Sequence, residues 1–455
     1  MAAPSLVVSD APRPLLRLAD AIGITVGIVI GAGIYKTPPM VAGVTGDVGW
    51  LIVAWALGAV VSLAGALCYA ELATAYPHAG GDYSFLTRAF GRHTSFLYAW
   101  ARSTVINSGA IALLAFVFGD YMSTVVSLGA GSGALWAAGI VIALTLLNIA
   151  GLRASAGTQN LLLLVEVGGL VVVAVAGFMA PAVDTMAPAA FTTTPALGMF
   201  GLAMVFVLLT YGGWNEAAYI SAELTGGRRT IVVALVLSLA IIAALYLLVN
   251  IALLSGLGLK GLTESKAAGA EVMERTFGPV GRTVLGLFVG AATLTSINAT
   301  MIVGARTNYA MARDWPVLRF MGGWHASRGT PVAAFLIQGA IALALVAFGA
   351  LQHDGFEAMV EFTAPVFWSF LMLVGIALFV LRARDGSAER PFRVPLFPLT
   401  PIVFCVACAW LAYSSIAYAA SRNAVHVSLL VMAAGVVAML FLRRGSVRRA
   451  VAGDD

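Results

Sequence analysis

An all-α integral membrane protein of about 12 spanning helices is the fold class this sequence predicts. Three observations predict it. Of the 455 residues, 60% are hydrophobic and only 10% charged, where soluble domains carry roughly 25% charged residues. Mean hydropathy is +0.95. The apolar residues fall into long runs, each of a length to cross a bilayer, and the Arg residues collect between alternate runs.

A spanning helix needs ~20 mostly apolar residues. By that measure the candidate spans are 18–42, 49–75, 95–125, 134–151, 157–180, 195–221, 230–257, 280–304, 331–351, 357–381, 397–420 and 425–442. Unpaired backbone groups are not tolerated in lipid, so these runs must be helices. The two-residue alternation of a membrane β-barrel is absent. With the N-terminus in the cytoplasm, 19 of the 26 Lys and Arg fall at the inner face and five at the outer. Lys36 and Arg102 lie within spans. This bias predicts a tail at 1–17 and another at 443–455, both cytoplasmic. The basic residues are scattered over short loops, so no nucleic-acid partner is expected. The N-terminus does not read as a signal peptide, because Pro4, Pro12 and Pro14 interrupt it. Cys68, Cys405 and Cys408 all sit in apolar runs and read as small buried hydrophobes, with no metal or cofactor implied. The mixed-charge segment between spans 7 and 8, with Lys260, Glu264, Lys266, Glu271 and Glu274, predicts short helices on a solvated face.

Two spans contain more glycine than a straight helix tolerates. The first reads AIGITVGIVIGAGIYKTPP, with Gly31-Ala32-Gly33 near its midpoint. The sixth reads LAMVFVLLTYGGWNEAAYI, with Gly212-Gly213 at a similar depth. A helix-interior glycine is less stable than alanine by ~1 kcal/mol. One such span is explained by close helix packing. Two, each opening a five-span unit (18–180 and 195–381, with 397–442 added), point to a binding site made of broken helices. Unwinding frees N–H and C=O groups at mid-membrane. Half-helix N-termini attract a carboxylate and half-helix C-termini attract a cation. A zwitterionic amino acid offers both charges.

Five segments resemble the amino acid–polyamine–organocation family, within it the L-type amino acid transporter branch. They are GIVIGAGIY in span 1, PHAGGDYSF after span 2 and TYGGWNE in span 6. NATMIVGARTNYAMARDWP, running out of span 8, and RPFRVPLFPLTP, entering span 11, complete the set. They occur in order along nearly the whole chain. The resemblance implies a LeuT-like fold of 5+5 inverted repeats with helices 1 and 6 broken, and secondary transport of neutral L-amino acids by alternating access. It implies a substrate carboxylate on the backbone of Ile30, Gly31, Ala32 and Gly33. The amino group would meet carbonyls near Gly27, Ile28, Leu208 and Leu209, and Tyr211, Gly212, Gly213, Trp214 and Asn215 would line the remaining wall.

The chain departs from the branch in four places. Gly212 replaces an Asp found in a member that handles cationic amino acids and cystine, which favours a neutral substrate. Glu216, four residues on, could serve a cation but is expected to point elsewhere. Leu209 replaces the branch's gating aromatic, with Phe206 one turn earlier as a substitute. The loop SLGAGSGAL between spans 3 and 4 has no Cys, so no disulfide-linked heavy chain is expected. In span 5, TQNLLLLVEVGGLVVV places Glu166 where members aligned on Gln159 carry a Lys. A mid-span ionisable group is expensive in lipid and seldom idle. Glu166 either binds H+ or Na+, with carbonyls of Gly27 and Ile30 and hydroxyls of Thr295 and Ser296, or is a structural group paired with Arg102 or hydrogen-bonded to its neighbours.

Arg102 is expected to snorkel toward the cytoplasm, and Lys36 to reach the outer vestibule. Glu71 and Glu223, at inner helix ends near Arg-bearing loops, are candidates either for an opening and closing inner gate or for static ion pairs. Trp50, Tyr76 and Trp410 read as interface anchors. No GxxxxGK[ST] is present, which excludes ATP drive within this chain, and no constellation of catalytic groups suggests an enzyme. An obligatory exchanger, a carrier of cationic amino acids or polyamines, and a non-transporting amino-acid sensor are the alternatives.

Overall fold

The computed structural model describes residues 17–77, 81–151, 156–181, 190–215, 227–325, 330–421 and 425–451. The described residues of the apolar runs are helical apart from two internal interruptions, at 30–32 and 211–213. The first run is split into α1 (Leu18–Val29) and α2 (Gly33–Thr45). Then come α3 (Val48–Ala75), α4 (Asp82–Phe90), α5 (Arg92–Ala101), a π-helical turn (Arg102–Ile106) and α6 (Asn107–Val125). They are followed by α7 (Ser132–Ile149), α8 (Ala156–Met179), α9 (Leu197–Thr210), α10 (Gly227–Glu264) and α11 (Ala268–Asp314). The chain ends in α12 (Val332–Ala350), α13 (Gly355–Arg384), α14 (Leu399–Ser421) and α15 (Val425–Val451). Among the described residues, eight helices are long and apolar enough to cross a membrane. They are α3, the continuous α5–α6, α7 and α10 to α14. The other four expected spans are the broken α1–α2 pair, α8, α9 and α15.

Packing separates two groups of helices. Helices α1 and α3 lie on α10, and α2 lies on α9, so both broken spans share one bundle. Helix α6 packs on α7, α11, α12 and α13, and α8 bridges α10 and α11. Buried aromatic and aliphatic side chains fill the space between them.

Several helices outrun the apolar segments. Helix α11 continues to Asp314 and α13 to Arg384. Hydropathy stops at the first charges, but Ala, Met and Arg propagate a helix well, so the helix runs on past the apolar segment, with Met311 and Ala312 of the α11 extension buried against Phe96 and Trp315. The segment between spans 7 and 8 differs from a purely solvated face. Gly258 and Gly278, both at φ 70°, turn the chain sharply and leave two short helices between them. Lys260, Glu264 and Lys266 are exposed, whereas Ala268, Ala270, Val272 and Met273 are buried. One face of this segment therefore belongs to the core.

Entry into α3 is fixed by Asp47. Its Oδ1 accepts the N–H groups of Gly49 (2.7 Å) and Trp50 (3.1 Å), an N-cap. The same carboxylate accepts the N–H groups of Phe191 (3.0 Å) and Thr192 (2.8 Å) and the Thr192 hydroxyl (3.0 Å). Burial works against the charged form. The N–H groups of Phe191, Trp50 and Thr192 outweigh it and hold the carboxyl well below the usual range. Asp47 thus pins the connection before α9 to the start of α3.

Candidate functional site

The two breaks meet at one cavity of about 850 Å³. Regular helix ends at Val29, and residues 30–32 are non-helical before α2 begins. Helix α9 ends at Thr210, and residues 211–213 form a turn. Gly213 has φ 100°, a conformation that side chains resist. Gly33 has a different task. A Cβ there would stand 3.3 Å from the Thr210 Cα, so glycine lets the start of α2 touch the end of α9.

Each break leaves helix-end groups to satisfy. At the C-terminal ends one side chain serves both. The Tyr246 hydroxyl, on α10, lies 3.1 Å from the carbonyl oxygens of Val29 and Thr210. Its single proton can serve only one at a time. Thr37 and Thr210 share a hydroxyl–hydroxyl bond of 2.7 Å. The N-terminus of α2 has no side-chain cap, and Gly31, Ala32 and Gly33 line the cavity. An uncapped helix N-terminus facing a cavity suits an anion.

The facing wall comes from α6, α8, α11 and α13. Asn107, Ala110, Leu113 and Leu114 contribute from α6, Glu166 from α8, Thr295, Ser296 and Thr300 from α11, and Phe367, Phe370 and Leu371 from α13. Toward the arginine-rich end the wall continues through Ala19, Gly23, Asp82, Tyr98 and Arg102. Tyr98 donates to Asp82 Oδ2 at 2.7 Å, and Arg102 Nη1 donates to the Tyr98 hydroxyl at 2.9 Å. Arg102 therefore belongs to the cavity wall rather than snorkelling past it. The π-helical turn that begins at Arg102 inserts an extra residue into the helical step, as such turns do at functional sites.

The structure brings together most of the residues singled out in the sequence. Gly27, Gly31, Ala32, Gly33, Leu209, Gly212, Gly213, Asn215, Glu166, Thr295 and Ser296 all line the cavity. Thr295 donates within its own helix, to the Ala291 carbonyl at 2.9 Å. Others turn away. Tyr211 is fully buried and donates to the Trp55 carbonyl at 3.1 Å. Trp214 packs edge-on against Tyr69 and Phe404, over Gly65. Ile30, Phe206 and Leu208 are buried in the core, off the wall. The carbonyl of Leu209 already accepts the Gly212 N–H at 3.1 Å. Glu71 is not among the residues of the cavity wall and is bound to Arg382, Arg390 and the Val394 N–H. Lys36 is paired with Asp120 and Asp354. Glu216 and Glu223 lie outside the described residues, as does the Ile28 side chain. Sequence reasoning missed Tyr246, Asn107, Asp82 and Tyr98. Asp82 had a signal, since it lies in the PHAGGDYSF segment, and Tyr246 had none.

Residues 16–441 match the amino acid permease family. The chain belongs to that family. Among the permease's relatives, the b(0,+)-type amino acid transporter 1 of Mus musculus is 27% identical over 93% of this chain and 87% of its own length. The serine/threonine exchanger SteT of Bacillus subtilis (strain 168) is 27% identical, over 85% of this chain and 88% of its own. The human cystine/glutamate transporter is 26% identical, over 88% and 80%. The permease is thus a non-enzymatic, multi-pass membrane transporter.

Proposed function

We propose that this permease carries neutral L-amino acids across the cell membrane by alternating access. One observation carries the reading: an uncapped helix N-terminus and two helix C-termini converge on a single cavity. A helix end carries roughly half an elementary charge, positive at the N-terminus and negative at the C-terminus. The substrate carboxylate sits on the backbone of residues 30–33. The amino group faces the carbonyl ends of α1 and α9, near Gly27, Ile28, Leu208 and Leu209. The side chain lies toward Gly212, Gly213 and Asn215, opposite Asn107, Ala110 and Phe370. Gly212 supplies no counter-charge for a basic side chain, so a neutral one is preferred.

Glu166 shares the cavity with Gly27, Thr295 and Ser296, and we assign it to the binding of H+ or Na+. The arginine-rich end is cytoplasmic in this reading, with both termini there. Units 18–180 and 195–381 are inverted repeats, and the bundle of α1, α2, α3, α9 and α10 rocks against the remaining helices. A second reading has specific support: SteT is an exchanger by name, so obligatory exchange is the main rival in coupling.

A thermal-shift screen of the purified protein against amino acids and amines tests the substrate class, since ligands raise the stability of the folded form. Neutral amino acids are expected to raise the apparent Tm. A shift with diamines alone, or with nothing, contradicts the proposal. Uptake by Glu166→Gln in proteoliposomes under imposed pH or Na+ gradients tests coupling. An unchanged gradient dependence removes Glu166 from the role, and counterflow indifferent to any ion gradient establishes exchange.

A further inference from the structure

We infer that Lys36, Asp120 and Asp354 form a charge latch that holds the cavity shut at its arginine-poor end. Lys36 stands on the first turn of α2, the half-helix whose N-terminus faces the cavity. Its Nζ lies 2.6 Å from Asp120 Oδ2 on α6 and 3.6 Å from Asp354 Oδ2 at the start of α13. The Phe356 ring is 5.9 Å away. The lysine side chain is 3% exposed, while Asp120 and Asp354 are 30% and 26% exposed. Three segments far apart in sequence thus meet at one ammonium.

The cavity wall among the described residues stops short of this cluster, at Gly33, Leu114 and Glu166. Beyond it the space is packed. Tyr121 donates to the Tyr35 carbonyl at 2.8 Å. That carbonyl has no helical partner, because Pro39 lacks an N–H. The Tyr35 hydroxyl in turn reaches the Glu166 carbonyl at 3.3 Å.

The electrostatics make this arrangement two-state. A buried ammonium is tolerated only when paired. If α2 moves away from α6 and α13 while the site stays dry, three charges are left unpaired. If water enters as α2 moves, all three are hydrated. The closed, dry state and the open, wet state are both satisfied, and the states between them are not. The cluster carries one positive and two negative charges, so loss of Lys36 leaves Asp120 and Asp354 repelling each other across the seal. Asp354 also caps α13 through the Glu357 N–H at 3.0 Å, which fixes its carboxylate at the helix entrance. Lys36 therefore acts as a positioning residue, on the site through α2.

The latch takes its meaning from alternating access, but its test needs no substrate. A reporter cysteine at Ala299, on the cavity wall, is labelled with a membrane-impermeant maleimide in oriented proteoliposomes, from each face separately. With the latch intact, labelling is expected from the arginine-rich face. Lys36→Met is expected to raise the rate from the arginine-poor face by about tenfold or more, with no rise from the other. Lys36→Arg is expected to behave as the parent. Equal acceleration from both faces shows general loosening and overturns the latch, as does no change from the arginine-poor face. If Lys36→Met does not fold, Asp120→Asn decides the same question, because it removes the 2.6 Å partner while Asp354 still offsets the lysine's charge. An increase confined to the arginine-poor face supports the latch, and an unchanged rate overturns it.

Discussion

Both ends of the permease carry a buried ion cluster, yet the two are built for different tasks. At the arginine-poor end, Lys36 is buried between two carboxylates that still touch water. At the arginine-rich end the sign is reversed. Glu71 is fully buried and accepts Arg382 Nε at 2.7 Å and the Val394 N–H at 2.6 Å, with Arg390 at 3.4 Å. Arg382 also stacks on Phe397, its guanidinium 3.8 Å from the ring centroid. Glu71 joins α3 to α13 and to the segment entering α14, none of them a half-helix of the site. It stays fully bonded while the cavity wall extends to this end, through Asp82 and Arg102. Because α3 belongs to the rocking bundle, both clusters bridge it to the remaining helices; we read Glu71 as a clamp, the tighter and drier of the two contacts, and Lys36 as a latch. The chemistry is the same. What differs is the element held and the access of water to the charges when they part.

Substitutions can break that contrast or sharpen it. The largest effect is expected at the clamp. Glu71→Ala leaves two guanidinium groups without their buried partner, and breaking such a pair removes about 3–5 kcal/mol. A steep fall in apparent Tm in detergent, or no folded protein at all, is the expected result. Lys36→Met is expected to remove less, about 1.5–3 kcal/mol, because Asp120 and Asp354 can recover water. A greater loss of Tm for Lys36→Met than for Glu71→Ala would reverse the comparison. Gly213→Ala comes next, at about 1–2 kcal/mol for a side chain forced to positive φ, read as a lower Tm together with weaker amino-acid binding.

The smallest effect is expected at Asp47. Asp47→Asn keeps the shape of the cap, and caps are worth about 1 kcal/mol. The carboxyl is held below its ordinary range, so its contribution is fully present above the unfolded value of about 3.9. It is lost as pH falls through the lower folded value. Stability of the parent is therefore expected to fall more steeply below about pH 4 than that of Asp47→Asn, measured by thermal unfolding at stepped pH.

The spans and both breaks were legible because each leaves a strong local mark: an apolar run of fixed length, or glycine where a helix should be continuous. The backbone part of the site was legible for the same reason, since Gly31, Gly33, Gly212 and Gly213 mark the breaks themselves. Side-chain direction was not. Tyr211 opens the turn of the second break and Trp214 directly follows it, and their aromatic partners on α3, α10 and α14 draw them out of the cavity. Arg102 gave the pattern of a snorkelling residue, but a π-helical turn reorients the wall at that point. Tyr246 was hidden because α10 is apolar nearly all round, and only the folded bundle brings its hydroxyl to Val29 and Thr210. Lys36 was visible as an odd charge in an apolar run. Its carboxylates, 84 and 318 residues away, could be paired with it only in space.

The central claim is that the freed backbone around the two breaks holds a zwitterion. An experimental structure with a bound neutral amino acid tests it most directly. The account predicts the carboxylate within hydrogen-bonding distance of the N–H groups at residues 31–33, and the amino group at the carbonyl ends of α1 and α9. A substrate bound elsewhere in the cavity, with both breaks closed into continuous helices, would contradict it.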